Sequence, residues 1–419
     1  MPLTLRLLSL IAMICVFASC ADKQFVKQSS PIDCQGFGSS SCIKQGGFDV
    51  FDETLTGGGK IVDIIFVNDN SGSMSFEQNQ IAARFSNFLA VLETKLIDYR
   101  IAIITTDTSS ATNQPRPINK NGELLDGRPV KFDDGSFYLT PSSSNKTVLF
   151  SNAIRRLETK QCETFQINNA SVDSSSEIFR KGLLDNCPGQ DERGIRAANL
   201  FIQDQSKQIL RNRAPLAMIF LSDEDERSGL YDTLNTYILD ESDRPQNLIS
   251  KVKQIYGAKK FNTYSIVVNP GTLNASAETI AAMLAETEIY NGQTVTKYIG
   301  NQFTNKDSAC LNAQFNQLNL PADKAVSGSY GYVYALLAMM TNGFVGNICA
   351  SDYTAQLNSI AGDIVDKIES YQLKCLAPEE LNITTPPGLT YLISGTLVSF
   401  NRSLNPGEVV RFKYKCKSL

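Results

Sequence analysis

The 419-residue chain is 42% apolar and 20% charged, the composition of a folded globular body, and at roughly 100–200 residues per domain it has room for two or three domains or one large decorated one. Its 39 Lys and Arg against 43 Asp and Glu give a net charge of −4 with no basic stripe, which argues against a nucleic-acid partner. The sequence contains no His, which excludes Ser-His-Asp and Cys-His catalysis and His-ligated zinc or haem, and no Trp.

Residues 1–19 carry Arg6 and then an apolar run from Leu7 to Phe17. That run is too short to span a bilayer and suits the core of an export signal. Phe17-Ala18-Ser19-Cys20 sets small residues before a cysteine and resembles the bacterial lipobox. The resemblance implies cleavage before Cys20, lipidation of Cys20 and a stable membrane anchor, each buried CH₂ contributing about 0.8 kcal/mol. Ala21, where an Asp would retain such a protein in the inner membrane, implies the outer membrane. Ordinary signal cleavage beside an incidental cysteine is the competing reading.

Residues 20–60 are polar, rich in Ser, Gly and Gln, and read as a lipidated tether with a small cysteine loop. The apolar, β-branched run 61–67 predicts a buried strand, and the apolar spacing over 81–97 predicts a helix. A second strand is predicted at 99–104, and residues 107–146 are polar with a hairpin around 128–139. Further on come a helix over 192–210, a strand at 216–221, a helix over 248–255, a strand at 262–268, and helices over 332–340 and 353–371. Buried strands alternating with helices predict an α/β fold, a doubly wound and mostly parallel sheet covered on both faces. The tail has short strand-like runs, TYLISGTLVSF and EVVRFKYKC, around a turn at Leu404-Asn405-Pro406-Gly407. The organisation predicted is signal 1–19, tether 20–60, large α/β domain 61–370 and small β-module 371–419.

Ten cysteines are present. Cys15 leaves with the signal and Cys20 is lipidated, so Cys34, Cys42, Cys162, Cys187, Cys310, Cys349, Cys375 and Cys416 remain. An even number in an exported chain reads as four disulfides. Eight cysteines allow 105 pairings. Consecutive pairing is favoured, Cys34–Cys42, Cys162–Cys187, Cys310–Cys349 and Cys375–Cys416, because each bond then closes one local excursion. A metal cluster is disfavoured by the lack of His and of any CxxC pair.

The chemistry concentrates where the first predicted strand ends, at Asp69-Asn70-Ser71-Gly72-Ser73-Met74. In open α/β sheets ligands bind beyond the carboxyl ends of strands. One carboxylate and two hydroxyls on a tight loop are hard oxygen donors, suited to Mg²⁺, Mn²⁺ or Ca²⁺. A second acidic loop, Ser222-Asp223-Glu224-Asp225-Glu226, follows another buried strand and meets the first if the two strands are neighbours. Asp-x-Ser-x-Ser after an apolar strand, with a later strand ending in Leu-Ser-Asp, resembles the von Willebrand factor type A (vWA) domain. The stretches VDIIFVNDNSGSM, DYRIAIITTD, PLAMIFLSDEDERS and SIVV come in that family's order, and YGYVYALLAMMTNGFVGNICASDYTAQLNSIAGDIV is similar to the end of such domains in bacterial lipoproteins. The likeness covers about 61–370.

The resemblance implies a metal-ion-dependent adhesion site with Asp69, Ser71, Ser73 and Asp223 as ligands. The family's threonine is matched by Thr159, with Ser174 to Ser176 as alternatives. Asn68 stands where the family has an apolar residue. The function implied is ligand binding: a partner protein's carboxylate completes the coordination of Mg²⁺ (or Mn²⁺ or Ca²⁺), and the chain is not an enzyme.

Three functional readings follow. The first is an adhesion or protein-binding lipoprotein on the cell envelope. The second is a periplasmic assembly or regulatory factor that uses the domain as a scaffold. The third, a metal-assisted hydrolase, needs a water-activating base that the sequence does not offer. The plainest alternative for Asp69-Asn70-Ser71-Gly72-Ser73 is a polar turn that caps a helix. Glu224, Asp225 and Glu226 read as a solvated acidic face. An EF-hand is excluded because Arg227 and Leu234 stand at ligand positions. TGGGK at 56–60 is no phosphate loop, because a strand rather than a helix follows it.

Overall fold

A computed structural model describes residues 42–57, 60–108, 125–173, 176–188, 193–204, 207–212, 214–226, 237–257, 260–269, 287–290, 293–298, 330–368, 370–402, 404–405 and 407–417. The first half holds β1 (Cys42–Gln45), β2 (Phe48–Thr56), β3 (Ile61–Asn68), α1 (Ser75–Thr94), β4 (Asp98–Thr105), α2 (Lys146–Ile154), α3 (Leu157–Asn168), α4 (Glu177–Asn186) and α5 (Gly194–Gln203). Next come β5 (Leu216–Ser222), β6 (Tyr237–Leu239), α6 (Pro245–Tyr256), β7 (Phe261–Val267), β8 (Thr287–Tyr290), β9 (Gln293–Tyr298), α7 (Tyr332–Met340), β10 (Val345–Asn347) and α8 (Thr354–Ile368). The tail adds β11 (Ser370–Gln372), β12 (Glu379–Thr384), β13 (Tyr391–Ser394), β14 (Leu397–Phe400) and β15 (Val409–Lys417). The signal segment, Cys20, Cys34, Cys310 and Arg227 lie outside the described residues.

Five strands form one parallel sheet in the order β10-β7-β5-β3-β4. β3 is buried from Val62 to Asn68, and β5 along its whole length, which is why both read as unbroken apolar runs. The chain steps from β3 outward to β4 and then returns across β3 to β5. The direction of winding therefore reverses between β3 and β5, and the crevice beyond their carboxyl ends is the switch point of the sheet.

Side chains alternate between the two faces. Ile64 and Phe66 join a core with Phe85 and Phe88 of α1, Phe150 of α2 and Ile360 of α8. Phe66 meets Phe85, Phe88 and Phe150 edge-on, with centroids 6.1, 5.7 and 4.9 Å away. Ile65 and Val67 face the other way, onto Ile195 and Ala198 of α5, Leu248 of α6 and Leu337 of α7. The doubly wound parallel sheet predicted from the sequence is thus the observed architecture.

Local details differ from the sequence reading. α1 starts at Ser75, ahead of the predicted 81, and closes where Leu96 takes a positive φ of 54° and the Ile97 N–H donates to Leu92 O. α5 stops at Gln203 rather than 210. The hairpin expected around 128–139 is reduced to a tight turn, where the Phe132 N–H donates to Ser136 O and the Gly135 N–H to Phe132 O, and its arms do not pair with each other as strands. Val130 and Leu139 instead hydrogen-bond to Ile103 and Ile101, so the segment lies along the outer edge of β4 and covers it.

The expected tether needs correction. Residues 42–56 form β1 and β2, and β2 pairs with β15 in antiparallel register over its whole length, from Phe48↔Lys417 to Thr56↔Val409. With β12 they make the sheet β1-β2-β15-β12, and β11-β14-β13 make a second. Phe51, Val398, Val410, Phe412 and Tyr414 are buried in the core of this module. The β-module is therefore built from both sides of the α/β domain, and residues 61–368 form an insertion between β2 and β11. Cys375–Cys416 is a disulfide within it. Cys42 and Cys349 are also disulfide-bonded.

Candidate functional site at the switch point of the sheet

The loop after β3 is fastened to the end of β5 before any side chain is considered, because the Asp69 N–H donates to Leu221 O at 2.9 Å. Asp69 is fully buried. Its Oδ1 accepts the Ser71 N–H at 2.8 Å, which tightens the turn, and its Oδ2 accepts the Ser222 hydroxyl at 2.6 Å. Ser71 and Ser73 share a hydrogen bond of 3.1 Å, and Ser73 Oγ donates to Asp223 Oδ1, also at 3.1 Å. The two acidic loops therefore meet, because β3 and β5 are neighbours paired from Asp63↔Leu216 to Asn68↔Leu221.

Thr159 joins the same set from the opening turn of α3. It is buried, donates to Asn70 O at 2.7 Å and accepts from Gln78 Nε2 at 3.0 Å. Asp69, Ser71, Ser73, Thr159 and Asp223 thus come together in one bonded constellation. Ser176, an alternative to Thr159, instead caps α4 by accepting the Phe179 N–H, and Ser174 lies outside the described residues. Asn68 turns its amide to Ile154 O at 3.2 Å, tying the end of β3 to α2.

Gly72 is the residue that lets the loop sit where it does. A Cβ added there would fall 2.5 Å from Cys162 Sγ and 3.1 Å from Gln166 Oε1. Cys162 is bonded to Cys187, so the disulfide that tethers the α3–α4 excursion also backs the Asp69 loop.

The electrostatics follow from the burial. Asp69 is pushed up to about 6, first by burial and then by the Glu224 charge, with the Ser222 and Ser71 hydrogen bonds working against the rise. Asp223 lies well above the usual carboxylate range because of burial, and then because Asp69, Glu77 and Glu224 face it. Glu77 was not among the residues singled out from the sequence, nor was Gln78. Both are buried in the first turn of α1. The sequence held a signal for them: they precede the apolar residues Ile81 and Ala82 by one helical turn on the same face.

The rest of the later acidic loop corrects an expectation. Asp225 is 2% exposed and Glu226 0%, so neither belongs to a solvated face. Asp225 accepts the Val333 N–H at the start of α7, at 2.9 Å. Glu226 accepts the Ile195 and Arg196 N–H groups at the start of α5, at 2.8 and 3.1 Å. Each carboxylate sits where a helix offers unpaired donors and the positive end of its dipole.

Among the described residues no three His, Cys, Asp or Glu side chains converge as a metal-holding group. The oxygens gathered here are two carboxylates with the hydroxyls of two serines and a threonine, a hard donor set.

No protein-family model matches the chain, and no curated protein matches it in sequence. Solved structures similar to it include the pilus adhesin SpaC from Lactobacillus rhamnosus GG, with 12% identity over 89% of this chain and 42% of that one and a TM-score of 0.32. Another is a von Willebrand factor type A protein from Catenulispora acidiphila, with 12% identity, 88% and 60% coverage and a TM-score of 0.28. A third is the pilus adhesin RrgA from Streptococcus pneumoniae, with 11% identity, 88% and 58% coverage and a TM-score of 0.27. The chain spans 42–60% of the length of these three structures. Likenesses this distant carry no argument about function.

Proposed function

We propose that the chain is a binding protein, not an enzyme, whose site takes a divalent cation (Mg²⁺, or else Mn²⁺ or Ca²⁺) and through it a carboxylate on a partner protein. The observation that carries this reading is the meeting of two buried carboxylates, Asp69 and Asp223, from loops after adjacent strands and linked through Ser73. Burial raises both, helped by the Glu224 charge at Asp69 and by Asp69, Glu77 and Glu224 at Asp223, and a cation is the counter-charge that such a pair takes up. The donors fit a hard ion. Asp69 and Asp223, with the hydroxyls of Ser71, Ser73 and Thr159, would hold it. When bound, the ion would supply positive charge that neutral hydroxyls leave only partly offset, and so attract an incoming anion.

The protein's own part is to fix these oxygens. Ser222 and the Ser71 N–H orient Asp69, and the β3–β5 pairing sets the spacing of the loops. We place the chain at the cell envelope, on the bacterial outer membrane, held by a lipid on Cys20 and serving adhesion or protein interaction. The support for location is the segment 1–21 alone, with Ala21 favouring the outer membrane. The site is tested by calorimetric titration of the purified full chain with Mg²⁺, Mn²⁺ and Ca²⁺, beside Asp69→Ala. Saturable heat that disappears in the variant supports the reading; equal titrations in both proteins at millimolar ion overturn it.

A further inference from the structure

We propose that Gln78 is the positioning residue of this site: its side-chain amide fixes the hydroxyl of Thr159 and the backbone of Asp69 in the arrangement that a cation needs. The assignment rests on the metal-site reading above. Gln78 is 1% exposed and projects from the first turn of α1 into the space between two loops. Its Nε2 donates to Asp69 O at 2.9 Å and to Thr159 Oγ1 at 3.0 Å. Its Oε1 accepts the Arg156 N–H at 3.0 Å. Both N–H bonds and the carbonyl are thus engaged, by two stretches of chain, the loop after β3 and the start of α3.

The orientation of this amide is dictated by its partners. Asp69 O can only accept, so an N–H must face it, and the Arg156 N–H can only donate, so the carbonyl must face that side. The second N–H then points at Thr159, and Thr159 must accept there. Its own proton is committed to Asn70 O at 2.7 Å. A hydroxyl has one proton and two lone pairs, so one lone pair is left on Thr159. Gln78 therefore sets both the position and the polarity of that oxygen.

The residue type matters. A carboxylate of the same shape would set an acceptor against Asp69 O and add a charge beside Asp69, Asp223 and Glu77. An apolar side chain would leave three buried polar groups without their partner. The amide alone satisfies one donor and two acceptors while remaining neutral. Partners one shell away from a metal ligand commonly change metal affinity 10–100-fold when removed.

The test uses the purified full chain as wild type, Gln78→Glu, Gln78→Leu, Thr159→Ala and the double variant Gln78→Leu/Thr159→Ala, with Asp69→Ala as the control for the site. Mn²⁺ affinity is read by calorimetry. Water molecules on bound Tb³⁺ are counted from luminescence decay in H₂O against D₂O. The proposal expects each Gln78 variant to weaken Mn²⁺ about 10–100-fold and to add one water to Tb³⁺, as Thr159→Ala does. It also expects the double variant to lose less than the two single losses added together, since both changes remove the Gln78–Thr159 bond while Gln78 alone also holds Asp69 O. Gln78→Glu keeps the shape, so near-ultraviolet circular dichroism shows whether it is folded even if Gln78→Leu is not. Wild-type affinity and water count in a folded Gln78 variant would overturn the assignment while leaving the metal site standing. A wild type that binds neither ion, or binds equally in Asp69→Ala, overturns the site and this assignment together.

Discussion

Ser73 donates a hydrogen bond of 3.1 Å to Asp223, a residue 150 positions further along the chain. This contact closes the space between the loops after β3 and β5 and presses a second buried carboxylate toward Asp69. The arrangement is costly without a counter-ion, because burial and three neighbouring acids hold Asp223 well above its ordinary range. Asp223→Asn should therefore act in opposite directions on stability and on binding. With chelator present, the variant is expected to be more stable than wild type by on the order of 1 kcal/mol, the scale of one pKa unit. Millimolar Mg²⁺ should raise the unfolding temperature of wild type and leave the variant unmoved, since only binding to the folded state stabilises it. Thermal unfolding of both proteins with chelator and with Mg²⁺ decides it, and an equal response to Mg²⁺ would count against the site.

Gly72 links the site to the disulfide behind it. Its hydrogen lies where a methyl group would reach to 2.5 Å from Cys162 Sγ, and that sulfur is held by Cys187. Gly72→Ala is expected to destabilise the protein by about 1–3 kcal/mol through overpacking. Cation affinity should fall with it, because the Asp69 loop must move away from α3, which carries Thr159. Denaturant unfolding and calorimetry on the same sample check both effects; a drop in stability with unchanged affinity would show that the loop yields elsewhere.

The central sheet was legible because β3, β5 and β7 are buried on both faces and leave continuous apolar runs in the sequence. The acids of the metal loops were legible because Asp69 and Asp223 stand directly after such runs. Other features were hidden for definable reasons. Residues 42–56 look like a polar linker because β2 buries Phe51 between acids: Asp52 on the opposite face meets Arg411, and Glu53 on the same face accepts the Tyr371 and Tyr414 hydroxyls. Asp52 pairs with Arg411 across β15, a contact 359 positions long that no local pattern announces. Gln78 and Glu77 are polar residues on an apolar helix face, and their role depends on loops that arrive from elsewhere.

The same limit explains Glu226. In sequence it is one member of an acidic run, and only the fold shows that α5 begins against it. Glu226→Ala would leave the Ile195 and Arg196 N–H groups without their acceptor, next to the buried Arg193 that pairs with Asp240 and Asp243. The expected loss is about 3 kcal/mol, in the range for breaking a buried charged contact. Glu224→Ala, on a half-buried neighbour whose charge faces Asp69 and Asp223, should not destabilise the fold, because it takes a like charge away from both. Equal effects from the two variants, measured by denaturant unfolding, would restore the reading of this run as a solvated face.

Lys260 gives the fold a pH dependence away from the site. It stands just before β7, and its ammonium donates to Lys367 O at the end of α8 and to Ser370 O at the start of β11, at 2.5 Å each. Desolvation, then the Lys367 charge, pulls it down to about 7 from 10.5. A lysine whose pKa is lowered by folding contributes stability that is complete above the unfolded value and is lost as pH falls through the folded value. Between pH 7 and 10 the unfolded chain binds a proton that the folded chain does not, so this group makes stability rise with pH across that window. Lys260→Met should flatten the rise while removing both hydrogen bonds where the α/β domain passes into the β-module. Denaturant midpoints taken at unit steps from pH 7 to 10 test this. A wild-type curve no steeper than that of Lys260→Met would mean that the ammonium stays charged throughout, held by its two carbonyl acceptors against the cost of burial.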